Sequence, residues 1–511
     1  MSTSTICILV AIVVYMAGII WIGFACAKKN KNTEDFYLGG RKLGPFVTAM
    51  SAEASDMSSW LLMGLPGVAY LTGVADAAWT AIGLAIGTYV NWLIVAKRLR
   101  IYTHMSSNSS TIPAFFSNRY RDNKRILSVI SAIVIVIFFV PYTASGFAAC
   151  GKLFNSLFGI DYFTAMIISA LVIVVYTALG GFLAASTSDF VQSIIMTIAI
   201  FVVISYGIIS VGGIDKVMDN ATSMAGYLSL FKSHNAETGA AVSYNALTVF
   251  STLAWGLGYF GMPHILLRFM AIEDPEKIKL SRRVATIWVV ISMAVSIFIG
   301  VAGNAMVKEG VIDSLKDPER IIIKIATLIS NHGVIAALVA GVILAGILAA
   351  TMSTADSQLL AASSSVSQDI VKEVLVKDLS AKMSMVIARI TLVGIAVIGV
   401  IIASNPNSSV FGIVSFAWAG FGAAFGPVML MALFWKRSNM YGALAGMVSG
   451  GIMVFVWKFL IRPLGGLWDI YELLPAFIVS MLFIIIVSLI TAAPDKDITD
   501  EFDAVCAKMK N

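Results

Sequence analysis

The strongest constraint on this chain is a succession of long apolar runs. It starts at Ile6 and ends at Ile490, with no long polar block between. A helix that crosses a bilayer needs about 20 mostly apolar residues. Thirteen segments meet that requirement, at 6–27, 46–72, 76–98, 126–156, 161–182, 188–212, 241–270, 282–306, 334–366, 384–403, 409–435, 439–461 and 473–492. Those at 46–72, 241–270 and 334–366 exceed a straight crossing, so each must tilt, break or extend past the membrane. Composition agrees. Of 511 residues, 59% are hydrophobic and 13% charged, about half the charged share of a soluble domain. No soluble core absorbs that much apolar surface, so lipid must be the solvent. The expectation is one all-α integral membrane domain over 1–493 and a solvated cytoplasmic tail over 494–511, too short for a domain and mixed in charge.

Several classes of function are disfavoured. The net charge of +6 sits in short connections and not on a patch interleaved with exposed aromatics, so nucleic acid is not an expected partner. Cys7, Cys26, Cys150 and Cys506 are scattered, without metal or redox spacing. No G-x-x-x-x-G-K-[ST] loop and no recognisable hydrolase or kinase module is present, so the chain does not read as an enzyme or an ATP-driven pump. The run at 6–27 lacks a basic leader and is too long for a signal-peptide core, so it reads as a retained membrane helix. Nothing in the sequence identifies a protein partner.

Basic residues set the expected orientation, because cytoplasmic loops carry an excess of Lys and Arg. Alternate connections hold 26 of the 35, including Lys28, Lys29, Lys31, Arg41, Arg98, Arg119, Arg121, Arg268, Lys377 and Lys436. That side is expected to be cytoplasmic, placing the N-terminus outside the cell membrane and the C-terminus inside.

Function must come from polar groups at membrane depth, which cost a few kcal/mol each and usually face a cavity or a partner. The second segment is the richest, with Glu53, Asp56 and Ser51, Ser55, Ser58 and Ser59 ahead of Pro66-Gly67, which would loosen the helix further along, so a break is expected around 52–66. Such a helix either opens, freeing carbonyls as ion ligands, or packs a polar face against its neighbours. The seventh segment carries Trp255-Gly256-Leu257-Gly258-Tyr259-Phe260-Gly261-Met262-Pro263, where three glycines and a proline disfavour a straight helix. It reads as an aromatic wall around a substrate or as a kinked, closely packed helix. The ninth places Ser353 and Thr354 at membrane depth, as cation ligands or as hydroxyls bonded back to their own helix. Segments 2 and 7 are five apart, so units 2–6 and 7–11, about 46–212 and 241–435, enter the membrane in opposite directions. Interrupted segments at matching places of inverted repeats point to a transporter site.

The stretches Tyr37-Leu-Gly-Gly-Arg-Lys-Leu-Gly-Pro-Phe-Val-Thr-Ala49, Ser51-Ala-Glu-Ala-Ser-Asp-Met-Ser-Ser-Trp-Leu-Leu-Met-Gly-Leu-Pro-Gly67, Gly256–His264 and Met352-Ser-Thr354 resemble the sodium:solute symporter family, in its proline-transporting branch. The resemblance runs over nearly the whole chain. It implies a leucine-transporter-like fold of thirteen helices with the inverted five-helix repeat, and Na⁺-coupled import of L-proline by alternating access. It implies a Na⁺ site from Ala54, Met57, Ala350, Ser353 and Thr354, with Asp56 and Asp189 in coupling. Asp189 also reads as a helix N-cap following Ser186-Thr187-Ser188. For the solute it implies Ser58, Ser59, Trp60, Tyr142, Trp255, Tyr259, Met262 and Pro263. Aromatic faces suit the pyrrolidine ring and its cationic amine. Glu53 and Ser59 stand where the family usually has glycine, and Met262 where glutamine is common. Glu53 and Asp56 would meet on an unbroken helix, so the helix breaks between them, a cation sits there, or Glu53 is protonated. Two other readings remain: a symporter of another small amino acid or carboxylate, and a membrane sensor or channel that does not concentrate its solute.

Overall fold

The computed structural model describes residues 2–27, 33–375, 380–405 and 409–510. Lys28, Lys29, Lys31 and Lys377 of the basic set lie outside them. Among the described residues the chain is helical apart from one hairpin, Lys232–His234 paired antiparallel with Ala241–Ser243. Ten helices are long and apolar enough to cross a membrane: Thr3–Cys26, Val74–Met105, Ile126–Phe158, Gly181–Ser210, Pro275–Lys308, Val334–Val371, Lys382–Ile402, Val410–Phe434, Met440–Leu464 and Leu473–Ile490. Three shorter apolar helices, Trp60–Thr72, Tyr162–Val175 and Ala246–Gly261, fall in the second, fifth and seventh expected segments.

Lipid-facing surfaces follow from the sequence. Ile209, Ile335 and Ile490 are among the most exposed large hydrophobic side chains, while Glu53, Asp56, Asp189, Ser353, Thr354 and Asp356 are buried. The Val334–Ser364 helix runs through the interior, with every residue from Ile343 to Ser364 buried. It packs against the Tyr162–Ser210 helix and the N-terminal helix.

Three interruptions shape this interior. The helix Pro45–Asp56 ends at Met57, and a π-helical turn, Trp60–Gly64, joins it to Leu65–Thr72. The Leu65 N–H bonds to Trp60 O, five residues back. Pro66, which lacks an N–H, falls at the start of the next helix, where none is needed. The opening expected across 52–66 is therefore confined to Met57–Ser59, and Pro66 breaks nothing. The second interruption is the 3₁₀ stretch Ala254–Gly261, followed by extended Met262 and by Pro263 at the first turn of Pro263–Ala271. Its glycines let backbones touch: a Cβ on Gly256 would lie 2.2 Å from the Gly83 carbonyl oxygen, and one on Gly87 2.3 Å from that of Gly256. The third is Gly181, whose φ of 65° divides the long helix Tyr162–Ser210.

The tail departs from expectation. Lys496–Lys510 is a helix, and Ile498, Phe502 and Val505 bury one stripe of it. The Arg98 guanidinium stacks over Phe502 at 5.1 Å, Glu501 pairs with Arg121, and Asp503 pairs with Lys436 at 2.5 Å. The spacing i, i+4, i+7 explains it: a short polar segment with one apolar stripe docks instead of staying solvated. Three basic residues assigned to loops are likewise buried. Arg41 donates to the carbonyls of Met270 and Ser109, Arg119 donates to Ala432 O, and Arg268 lies inside Pro263–Ala271.

Candidate functional site

The site forms where the first interruption meets the second. In an unbroken helix the Ser58 N–H would bond to Ala54 O and the Leu61 N–H to Met57 O. Here Ser58 N–H goes to Asp56 O and Leu61 N–H to Ser58 O. The released Ala54 carbonyl accepts the Ser353 hydroxyl at 2.8 Å. Ser353 also reaches Ala350 O at 3.2 Å, and Thr354 donates to the same carbonyl at 3.1 Å. Oxygens of Ala54, Ala350, Ser353 and Thr354 are thus gathered between Pro45–Asp56 and Val334–Ser364. Met57 ends the helix, and its sulfur meets the Ser292 hydroxyl at 3.6 Å. Hydroxyl and carbonyl oxygens suit a hard monovalent cation.

Asp56 is the meeting point of three elements. Its carbonyl accepts from Ser58 N, from the Trp60 indole at 3.1 Å and from the Tyr142 hydroxyl at 3.2 Å. Its carboxylate accepts the Tyr259 hydroxyl at 2.6 Å. Ser58 and Tyr142 line a closely packed crevice, too tight for a water molecule, with Thr143, Thr351, Thr354 and Gln358. Trp60 and Trp255 hold their rings 6.3 Å apart. Trp255 stacks on Tyr471 at 5.1 Å, and Tyr259 meets Trp418 edge-on at 5.1 Å. Ser58, Trp60, Tyr142, Trp255 and Tyr259 thus cluster around Asp56. Ser59 is fully buried, and its hydroxyl has no partner among the described residues. Met262 and Pro263 form the joint after the 3₁₀ stretch and do not line the crevice.

Asp189 is not an N-cap. The helix resumes at Gly181, so Asp189 lies well inside it. Its carboxylate accepts from the Ser51 hydroxyl at 2.6 Å and pairs with Arg268 at 3.1 Å. Arg268 also donates to Ser51, to Ser357 and to His264 O, and Ser357 donates to Asp356. Arg268, Asp356, Ser357 and Gln358 were not singled out in the sequence. Asp356 follows the Met-Ser-Thr motif by two residues, and that spacing was the available signal. Arg268 reads as a loop residue because it ends an apolar run. Only the fold pairs its guanidinium with Asp189 and links it through Ser357 to Asp356.

Glu53 and Asp56 lie on one uninterrupted helical stretch, so the reading with a break between them is excluded. Glu53 accepts the Trp92 indole N–H at 3.0 Å.

Residues 36–450 match the model of the sodium:solute symporter family. The chain is 41% identical over 500 residues to a sodium/proline symporter of Salmonella typhimurium, covering 97% of this chain and 95% of that one. It is 42% identical over 484 residues to a high-affinity proline transporter of Bacillus subtilis, covering 94% and 98%. Among solved structures, a Na⁺-coupled sialic acid symporter shares the fold with a TM-score of 0.78 at 16% identity, over 96% of this chain and 99% of that one. A nucleobase-cation-symport-1 family transporter gives 0.52 at 15% identity, over 92% and 98%. These relatives are transporters and not enzymes, and they make this chain a multi-pass membrane protein. It belongs to the sodium:solute symporter family.

Proposed function

We propose that this chain imports L-proline together with Na⁺ by alternating access. Relatives about 40% identical over nearly their whole length are sodium/proline symporters, and sodium is the coupling ion of the family. The observation that carries the reading is the junction at Asp56. One helical turn presents a released carbonyl to Ser353 and a carboxylate to Tyr259 of the second interruption. Ion and solute sites built on the same turn are mechanically linked.

In this reading Ala54, Met57, Ala350, Ser353 and Thr354 hold Na⁺. Ser58, Ser59, Trp60, Tyr142, Trp255 and Tyr259 surround the solute, Met262 and Pro263 form the joint behind them, and Asp56 and Asp189 couple the two. The three shorter apolar helices complete thirteen crossings. The two interrupted ones then fall at matching places of inverted repeats over about 46–212 and 241–435, in a leucine-transporter-like arrangement. The docked tail lies on the cytoplasmic side with Arg98, Arg121 and Lys436, and the N-terminus lies outside.

One Na⁺ moving inward releases roughly 2.3 kcal/mol per 100 mV. A tenfold gradient adds about 1.4 kcal/mol. Together these sustain roughly 500-fold accumulation of a net-neutral solute. The test is uptake of radiolabelled proline into proteoliposomes with and without a Na⁺ gradient. Sodium-independent uptake overturns the coupling. Uptake that excess proline does not compete points to another small amino acid or carboxylate. Proline binding without accumulation points to a sensor or channel.

A further inference from the structure

We propose that Glu53 and Asp56 form a second monovalent-cation site, distinct from the oxygens around Ser353. The inference rests on the symport reading above. Glu53 is 1% exposed and Asp56 fully buried. They sit three residues apart on one intact helical turn, which brings their side chains to neighbouring positions. Among the described residues neither carboxylate has an ion-pair partner, and the guanidinium of nearby Arg268 is engaged by Asp189. Each carboxylate is half satisfied. Trp92 donates to Glu53 Oε1 and Tyr259 to Asp56 Oδ2. Glu53 Oε2 and Asp56 Oδ1 are buried without a hydrogen-bond partner.

A second, independent group points the same way. Asn91, fully buried, opens the π-helical turn Asn91–Val95 that carries Trp92. Its amide nitrogen donates to Tyr259 O, which leaves Asn91 Oδ1 unpaired. Asn91 therefore bridges the two residues that hold the carboxylates, and brings a third unsatisfied acceptor. Two buried anions without a compensating cation cost several kcal/mol each, and unsatisfied acceptors add to that. A bound Na⁺ removes both costs.

The site is separate from the expected Na⁺ ligands by direction. Ala54 O turns to Ser353 on the Val334–Ser364 helix. Glu53 turns to Trp92 on the Asn91–Val95 turn, and Asp56 to Tyr259. Other titratable or charged groups near the pair are Tyr142, which donates to Asp56 O, and the network of Arg268, Asp189, Asp356 and His264.

The second cation travels with the solute, so the native chain moves two charges per proline and Glu53→Gln moves one. Each charge is worth roughly 50-fold in accumulation per 100 mV, so reversal potentials in proteoliposomes separate the two. Two ²²Na⁺ per proline without acidification of the lumen are expected. One ²²Na⁺ per proline with acidification overturns the proposal. An identical charge-to-proline ratio in both proteins overturns the proposal. A second readout needs neither transport nor proline. Titrating the detergent-solubilised chain with Na⁺ should change the fluorescence difference between the native protein and Trp92→Phe, since that indole touches Glu53. A flat difference across the titration overturns the site even where Glu53→Gln does not fold. A cation-dependent difference in a protein that fails to accumulate proline supports the site and rejects only the proposed function.

Discussion

The hydroxyl of Tyr259 lies 2.6 Å from the carboxylate of Asp56, joining the two interrupted helices across 203 residues of sequence. Hydrogen bonds to charged groups contribute about 1.5–3 kcal/mol. Tyr259→Phe removes this one and leaves both Asp56 oxygens unsatisfied. It should weaken Na⁺-dependent uptake roughly 10- to 100-fold, and Asp56→Asn should weaken it at least as much. Uptake measured against Na⁺ concentration checks both. An unchanged half-saturating Na⁺ concentration in either variant would remove Asp56 from coupling.

Ser353 and Thr354 lend themselves to a graded test. Each hydroxyl contacts the Ala350 carbonyl, but Ser353 also reaches Ala54. Ser353→Ala should raise the Na⁺ requirement more than Thr354→Ala. Thr354→Ser, which keeps the oxygen, should stay near the native value. A Thr354→Ser chain as impaired as Thr354→Ala would mean that the methyl group, and not the oxygen, matters.

The Arg268–Asp189 pair is 1% and 0% exposed. Removing one partner of a buried pair costs about 3–5 kcal/mol, because the other is left charged and alone. Arg268→Met or Asp189→Leu should lower the thermal unfolding temperature strongly. The double variant should recover part of the loss. Equal destabilisation in the single and double variants would show that the two charges do not compensate each other.

The tail helix supplies a stability test remote from transport. Phe502 is buried against Tyr102 and Arg98. Truncating a buried phenylalanine costs about 3–5 kcal/mol when the gap does not close; at this edge the lower end applies. Phe502→Ala should free the Lys496–Lys510 helix to limited proteolysis before the rest of the chain. Protection equal to that of the native protein would contradict the docking.

Much of this was legible in the sequence because the bilayer forces long apolar helices, and helix interruption leaves a local record. Polar crowding at 51–59 and the glycines and proline at 256–263 each marked a real break. Position inside the break was less legible. Proline at 66 looked like a disruptor, yet a π turn ahead of it made its missing N–H harmless. The partners of the buried charges were hidden for a different reason. Trp92 and Glu53 are 39 residues apart, and Arg268 and Asp189 are 79. Only tertiary packing distinguishes an arginine at a helix end in water from one that neutralises a carboxylate. The docked tail was overlooked because its mixed charge masked the stripe at 498, 502 and 505.

The glycine contact between Gly83, Gly87 and Gly256 has a mechanical consequence. Side chains that interlock must disengage and choose new rotamers before two elements slide. Here main chain rests on main chain, so no teeth need to unmesh, and the surface acts as a plain bearing beneath the aromatic wall. A single added methyl group at Gly256 would work as a wedge, splaying the Val74–Val90 helix from the 3₁₀ stretch and jamming the joint that carries Tyr259.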